Sequence, residues 1–383
     1  MTVFDSKDKF QITAKTHHGL EDVLSEELKQ LGAEDITKMT RAVGFKGDMQ
    51  LLYKANLHLR TALRILVPIY KFKASNETWL YRGVQKVDWS KYLTEKDTIA
   101  LDSAVNSPIF KNSQYVFLKA KDAIVDQFRN KTGIRPNVDL DDPTVRINVY
   151  IQNDEVILSL DSSGSSLHKR GYRNEVNEAP LNEALAAGLI LMSGWDKQSN
   201  FIDPMCGSGT ILIEAAMIVH NIAPNLHRKK FGFMNWNNFD KPLWDRIFNE
   251  ASESKSDFNL SISGSDISPE AVRMAKGNIR AAGLQDKITL TRKDFVKIEP
   301  PAGKSTLIMN PPFGERMQPE DLNDLYKSIG DTLKQKFPGS EAWILSSNLE
   351  ALKCIGLRTS KKIILHAGPL ELRFNNYSLY AGL

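Results

Sequence analysis

Two cysteines in 383 residues, Cys206 and Cys354, exclude a disulfide framework, and neither has a metal-ligand spacing to a neighbour. Reduced thiols and no metal are the expectation. No apolar run approaches the ~20 residues of a membrane span. Residues 1–11 lack the apolar core of a secretory leader, so a cytoplasmic chain with no membrane partner is expected. Charge of one sign is not in excess either: 50 Lys and Arg against 46 Asp and Glu leave +4, which permits a nucleic-acid partner without requiring one. Neither an internal repeat nor a low-complexity tract is visible. What remains is an ordinary globular composition, 42% hydrophobic and 25% charged, long enough for two or three domains.

The most informative stretch is Asn310-Pro311-Pro312-Phe313-Gly314, which follows the apolar run Ser305-Thr306-Leu307-Ile308-Met309. A short apolar run stopped by two prolines reads as a buried strand that ends abruptly, because proline has no N–H for a ladder and holds its predecessor out of the helical region. Asn310 is thereby set at a strand tip, where open α/β sheets bind their ligands. An exocyclic amine on a base is a poor nucleophile until acceptors hold its hydrogens and its lone pair faces the electrophile. The Asn310 oxygen and the Pro311 carbonyl are candidate acceptors, the two prolines form the floor, and Phe313 offers a face for stacking. A strand end followed by a plain Pro-Pro-Gly turn accounts for the same letters.

Along the chain, strands are expected at 10–15 and 42–46, helices at 20–31 and 50–60, and an extended run at 62–73, a small α+β unit over 1–72. Over 73–161 the alternation restarts, with helices near 79–84 and 113–130, a strand near 98–105 and a hairpin from 145–151 to 156–161. Arg60, Arg64 and Lys119 are candidate RNA contacts in these two units, although a solvated face explains such charges equally well. Ser162-Ser163-Gly164-Ser165-Ser166 reads as a flexible linker, extending to 180 and carrying His168, Lys169, Arg170, Tyr172 and Arg173, interleaved basic and aromatic residues that are further candidate RNA contacts.

From 181 onward, strands and helices alternate to 383, with an insertion over 221–259 that reads as a substrate-contacting arm, with Arg228, Lys229 and Lys230 as candidate RNA contacts, or equally as a packed surface subdomain. Asp203-Pro204-Met205-Cys206-Gly207-Ser208-Gly209-Thr210 is a strand, a glycine loop and a helix start. Leu212 stands where a dinucleotide fingerprint needs glycine, and Thr210-Ile211 where a P-loop needs Lys-Ser/Thr. Asp266 and Asp294 fall at the next two strand tips. Each carboxylate alone is more often a cap or a surface charge; Asp203, Asp266, Asp294 and Asn310 at four successive strand ends make a series. Segments 370–374 and 378–380, joined through Asn375-Asn376, are expected to include an antiparallel strand on the parallel sheet.

These motifs resemble those of class I S-adenosylmethionine-dependent methyltransferases. The strings His168–Arg173, Asp203–Thr210 and Asn310–Arg316 resemble the bacterial THUMP-domain family that includes the 23S rRNA guanine-N2 methyltransferase. The resemblance implies an α/β, Rossmann-like catalytic domain at 181–383, preceded by a ferredoxin-like segment and an RNA-binding THUMP domain. It implies S-adenosylmethionine held by Asp203, Met205, Cys206, Gly207, Gly209, Thr210, Asp266, Ile267, Asp294, Phe295 and Asn310. It further implies methyl transfer to guanine N2, with Asn310, Pro311, Pro312 and Phe313 at the chemistry and 23S rRNA as partner. The family often has Tyr where Phe313 stands, which keeps the stacking and loses a hydroxyl. Larger relatives carry a second methyltransferase domain, for which this chain is expected to leave no room. Adenine N6 of nucleic acid, a tRNA guanine, and a non-catalytic role in ribosome assembly stay open as alternatives. The sequence does not fix the oligomeric state.

Overall fold

The computed structural model describes residues 8–173, 181–313, 318–368 and 370–381. The chain divides into two compact units: Ser25–Leu167 and Arg228–Asn249 with the chain up to Thr16, and His17–Leu24, His168–His227 and Glu250–Leu383.

The first unit is built on β1 (Phe10–Lys15), β2 (Glu34–Met39), β3 (Ala42–Gly47), β4 (Arg64–Lys73), β5 (Thr98–Asn106), β6 (Asn137–Val138), β7 (Val145–Gln152) and β8 (Glu155–Asp161). Helices α2 (Met49–His58), α3 (Glu77–Gln85) and α4 (Ser113–Thr132) intervene, as does α1 (Glu21–Gln30) from Ser25 onward, its first turn belonging to the second unit. All eight strands form one sheet in the order β2-β3-β1-β4-β8-β7-β5-β6. The helices start where their caps dictate: the side chains of Asp48, Asn76 and Asn112 accept the N–H groups of Leu51, Trp79 and Tyr115. Strand β2, absent from the sequence reading, is a largely exposed edge strand whose charges hide the alternation. In β4, Pro68 lies where the register against β8 shifts, as expected for a residue with no ladder donor.

The second unit comprises α5 (Glu183–Ser193), β9 (Asn200–Asp203), α6 (Thr210–Val219), β10 (Ile262–Asp266), α8 (Pro269–Ala281), β11 (Thr289–Arg292), β12 (Ser305–Met309), α9 (Pro319–Lys336), β13 (Glu341–Ser346), α10 (Leu349–Cys354), β14 (Lys361–Ala367) and β15 (Leu370–Ser378). Helix α7 (Lys241–Glu253) begins in the first unit. The sheet order is β11-β10-β9-β12-β13-β15-β14, parallel except that β15 runs against both neighbours. Ile308, Trp343 and Leu345 pack on one face and Leu307, Met309 and Ile344 on the other. Burial on both sides is why these strands read as continuous apolar runs. Helix α6 is buried along its whole length and acts as the spine of one layer.

Three expectations need correction. The Asn375-Asn376 pair does not interrupt the C-terminal strand: Asn375 and Asn376 face Ile344 and Trp343 in the middle of β15, and Asn376 Nδ2 donates to Glu341 Oε2 at 2.8 Å. The serine stretch is not a loose tether. Ser162 and Ser163 are fully buried; Ser162 Oγ bonds Ile65 O at 2.8 Å, and Ser163 Oγ accepts from Ile65 N at 2.8 Å.

Third, much of the expected insertion folds with the first unit instead of decorating the second. Arg228 sends Nη1 to Ser166 O at 2.9 Å and Nη2 to Ser163 O and Ser165 O at 3.1 and 2.9 Å. Phe233 stacks on Tyr53 at 4.5 Å, and Asp240 N donates to Tyr53 Oη at 3.0 Å. Gly232 lets this segment close on β8, since a Cβ there would lie 2.4 Å from the Asp161 carbonyl oxygen. Gly232→Ala should therefore destabilise the first unit by roughly 1–3 kcal/mol, read as a lower urea midpoint with an unchanged slope.

Candidate active site

Parallel strands deliver their carboxyl ends to one edge of a sheet. Asp203 ends β9, Asp266 ends β10, Asp294 follows β11 and Asn310 follows β12, and these four strands are neighbours in the order β11-β10-β9-β12. With ~4.8 Å between strands, the four residues line one edge.

The loop between β9 and α6 is held from several sides. Gly209 N donates to Cys206 O at 2.7 Å and Cys206 N to Ser265 O at 2.9 Å. Asn278 Nδ2 reaches Ser208 O at 3.0 Å. Asp266 accepts Gly207 N on Oδ2 and Ser268 N on Oδ1, both at 2.9 Å, so this one carboxylate fastens two loops and still keeps a lone pair on each oxygen. Gly207 and Gly209 have φ of +51° and +80°, the left-handed region that glycine tolerates. A Cβ on Gly209 would lie 3.2 Å from Ala275 of α8, whereas nothing stands within 4 Å of where one on Gly207 would be, so the room for a ligand is at Gly207, just ahead of a buried helix.

Asp203 is almost wholly buried, and its Oδ1 accepts from Met205 N at 3.3 Å. Burial, with the nearby Asp266 charge adding to it, pushes its carboxyl up to about 8. Such an acid suits a group that brings positive charge or N–H donors. Ile267, just past Asp266, is 66% exposed, an apolar side chain at the ligand edge. Burial drives the Cys206 thiol far up, so it serves packing and not nucleophilic chemistry. Thr210 is also buried, its Oγ1 accepting from Arg173 Nη2 at 3.0 Å.

At the end of β12, Asn310 Oδ1 is buried and has no hydrogen-bond partner among the described residues. A buried amide oxygen left unpaired costs about 1–3 kcal/mol, so its presence at a strand tip points to a donor that arrives from outside the chain. Pro311 is buried, Pro312 exposed, and Phe313 half-buried against the core layer around α5 and α6. Gly314, Glu315 and Arg316 lie outside the described residues.

Several proposed contacts turn out to be structural. Arg170 and Glu214 are fully buried as an ion pair, Arg170 Nε to Glu214 Oε1 at 3.3 Å, and Tyr172 Oη donates to the same oxygen at 3.2 Å. Arg173 pairs with Glu183 at 2.9 Å and bonds Leu181 O. The basic motif therefore fastens its own segment to α5 and α6, which corrects the assignment of Arg170, Tyr172 and Arg173 to RNA. Lys169 is exposed; His168 is half-buried, its imidazole held down to about 4 by burial and the adjacent cations.

In the first unit, Arg228 is committed to the serine-loop carbonyls, and Arg64 pairs with the buried Asp161 carboxylate, so both hold the unit's own structure. Arg60 is partly buried, while Lys119 sits 5.3 Å over the Tyr81 ring; Lys229 is exposed, as is Lys230, which pairs with Asp142. Phe295 is buried and stacks on Phe337 at 5.9 Å, a core ring and not a wall of the site. Glu214, Glu183 and Asn278 went unnoticed in the sequence. The signal for Glu214 was there: a lone acid in Thr210–Val219, a helix otherwise apolar, demands a buried partner.

Among the described residues no helix is long and apolar enough to cross a membrane. Three family models match: the RlmL ferredoxin-like domain over 11–66, the THUMP domain over 74–161 and the RMKL-like methyltransferase domain over 170–376. A Synechocystis sp. protein named "Putative RNA methyltransferase slr0064" is 40% identical over 96% of both chains. The ribosomal RNA large subunit methyltransferase K/L of Shewanella frigidimarina is 38% identical over 97% of this chain, which spans 53% of that relative's length. The crystal structure of SMU.472 complexed with SAH superposes with a TM-score of 0.86 at 32% identity, covering 98% of this chain and 99% of that one. An edge lined by Asp203, Asp266 and Asp294 beside a positive-φ glycine loop fits the methyl donor from which SAH derives. The chain belongs to the RMKL-like methyltransferase family, with a ferredoxin-like and a THUMP domain ahead of its Rossmann-like domain and S-adenosylmethionine as its cofactor.

Proposed function

We propose that this chain methylates the exocyclic N2 of a guanine in RNA, and that the RNA is 23S rRNA. The observation that carries the reading is the buried, unpartnered Asn310 Oδ1 in front of Pro311, Pro312 and Phe313. S-adenosylmethionine supplies an electrophilic methyl carbon on a sulfonium. Asp203 would hold its amino-acid portion beside Gly207 and Gly209, Asp266 its ribose, and Asp294 its adenine with Ile267 alongside. The base leaves its stack and rests on Phe313. Asn310 Oδ1 would accept a hydrogen bond from one amine hydrogen and the Pro311 carbonyl from the other, turning the nitrogen lone pair towards the methyl carbon; the N–C bond would form as the C–S bond breaks, S-adenosylhomocysteine would leave, and the extra amine proton would pass to water. Positioning provides most of the rate. The THUMP match and the names of the relatives support RNA as the acceptor.

Methyl acceptance by an unmodified 23S rRNA transcript and by duplex DNA, each followed by nucleoside mass spectrometry, tests the reading. N2-methylguanosine from RNA is the expected product; N6-methyladenine from DNA would replace it with the adenine alternative.

The raised Asp203 carboxyl adds a pH prediction. Below about 8 the free site holds a proton there, and a ligand that prefers the ionised carboxylate must displace it. Cofactor affinity should rise by up to about tenfold per pH unit towards pH 8 and level off above it. The sign for folding is opposite. The folded chain keeps the proton between its unfolded value near 4 and about 8, so this group's contribution to stability falls as pH rises through that window. Calorimetry at pH 7 should show proton release on cofactor binding, and Asp203→Asn should lose both the release and most of the affinity.

A further inference from the structure

The last two strands of the second unit meet at the same edge as Asn310. Strand β14 is antiparallel to β15, which is antiparallel to β13, so β14 ends at the carboxyl edge and β15 begins there. Across the sheet, Met309 lies opposite Ile344 and Ile344 opposite Asn375; Ser346 lies opposite Arg373. Arg373 is therefore two residues nearer the edge than the row of Met309, level with Pro311 and two strands away, about 10 Å.

The groups there have unspent hydrogen-bonding capacity. Arg373 Nη2 pairs with Glu371 Oε1 at 2.7 Å, with side chains 27% and 48% exposed, while Arg373 Nε is buried and has no partner among the described residues. His366 stands opposite Glu371 in the hairpin; its Nδ1 is buried without a partner among the described residues, and its ring packs edge-on against His18 at 4.8 Å. Glu371 and Arg373 are two apart on one strand and project to the same face. A pair that only closed the hairpin would have its guanidinium saturated by strand carbonyls. Here a guanidinium and a carboxylate stand together in the rows nearest the ligand edge.

We propose that Arg373 and Glu371 determine base specificity by reading the edge of the acceptor base next to its reacting amine, with His366 steadying Glu371 from the paired strand. This rests on the guanine-N2 reading and extends it. Guanine shows O6 as an acceptor and N1–H as a donor beside its 2-amine, and adenine lacks that combination. Glu371 accepts N1–H and Arg373 donates to O6, while Asn310 holds the 2-amine. A purine laid along the edge from Asn310, together with the reach of an arginine side chain, spans the gap.

The test uses the guanosine that the full chain methylates in a 23S rRNA transcript, located by mass mapping. The same RNA is rebuilt by ligation with 2-aminopurine at that position, a base that keeps the 2-amine and lacks both O6 and the N1 proton. The wild-type chain should prefer guanine by roughly 100-fold in kcat/KM. Arg373→Met and the isosteric Glu371→Gln should each cut that preference below about tenfold, mainly by slowing guanine methylation, with cofactor affinity and thermal midpoint unchanged. Arg373→Lys should recover part of it. Variants that fold and keep the full preference, or that lose both bases equally, overturn the proposal. A wild-type chain that puts no methyl on guanine removes the guanine reading itself, a different result from either.

Discussion

Asn310→Ala should lower kcat for methyl transfer by on the order of 10³-fold while the dissociation constant for S-adenosylmethionine stays within about threefold of wild type. The asymmetry follows from where the side chain lies. Asn310 is beyond the end of β12, its Oδ1 buried and unpaired, whereas the loop beside Gly207 and Gly209 is fastened by Asp266, Asn278 and backbone bonds in which Asn310 takes no part. Removing the amide takes away an acceptor for the incoming amine and leaves that loop as it was. Single-turnover methylation and equilibrium binding, run on the same preparation, read the two quantities. Equal losses in both would mean that Asn310 holds the cofactor and not the acceptor.

The second large effect is on stability. Arg170 and Glu214 are both fully buried, and Tyr172 shares the carboxylate. Replacing Glu214 by Ala strands a guanidinium in the core, and replacing Arg170 by Ala strands a carboxylate; each should cost about 3–5 kcal/mol. The two losses should not add, because the second substitution removes the charge that the first left unpaired. Arg170→Met combined with Glu214→Leu should recover most of the stability, since apolar residues of similar volume replace an ion pair that is itself expensive to bury. Urea denaturation of the two single variants and the double variant gives the coupling directly. If Arg170→Ala unfolds at the wild-type midpoint but weakens RNA binding, the basic motif is an RNA contact after all.

The same motif shows where the sequence was and was not legible. Strand tips were readable because the pattern repeats: an apolar run, then Asp203, Asp266 or Asn310, then a loop or cap. Each link there is local, a strand period followed by a turn signal or an N-cap such as Ser268 before Pro269. Whether Arg170 faces solvent or Glu214 depends on contacts 44 residues apart, to which no local period is sensitive. The same holds for Arg228, whose partners lie in the serine loop more than 60 residues earlier. Composition misled in both places: interleaved Arg and Tyr describe an RNA surface and a buried ion pair equally well, and Ser-Gly runs describe a tether and a tightly hydrogen-bonded corner equally well. At Asn375-Asn376 a turn signal was overruled because β15 is held on both sides, by β13 and β14. The edge strand β2 escaped because an exposed strand carries no buried alternation to detect.

The account depends on a nucleobase amine meeting Asn310 at the edge where the carboxylates gather. A crystal structure of the chain with S-adenosylhomocysteine and its RNA tests this most directly. The account predicts the guanine 2-amine within hydrogen-bond distance of Asn310 Oδ1, the ring against Phe313, and the cofactor's ribose beside Asp266. A base bound elsewhere, with Asn310 Oδ1 satisfied by the chain itself, would contradict it.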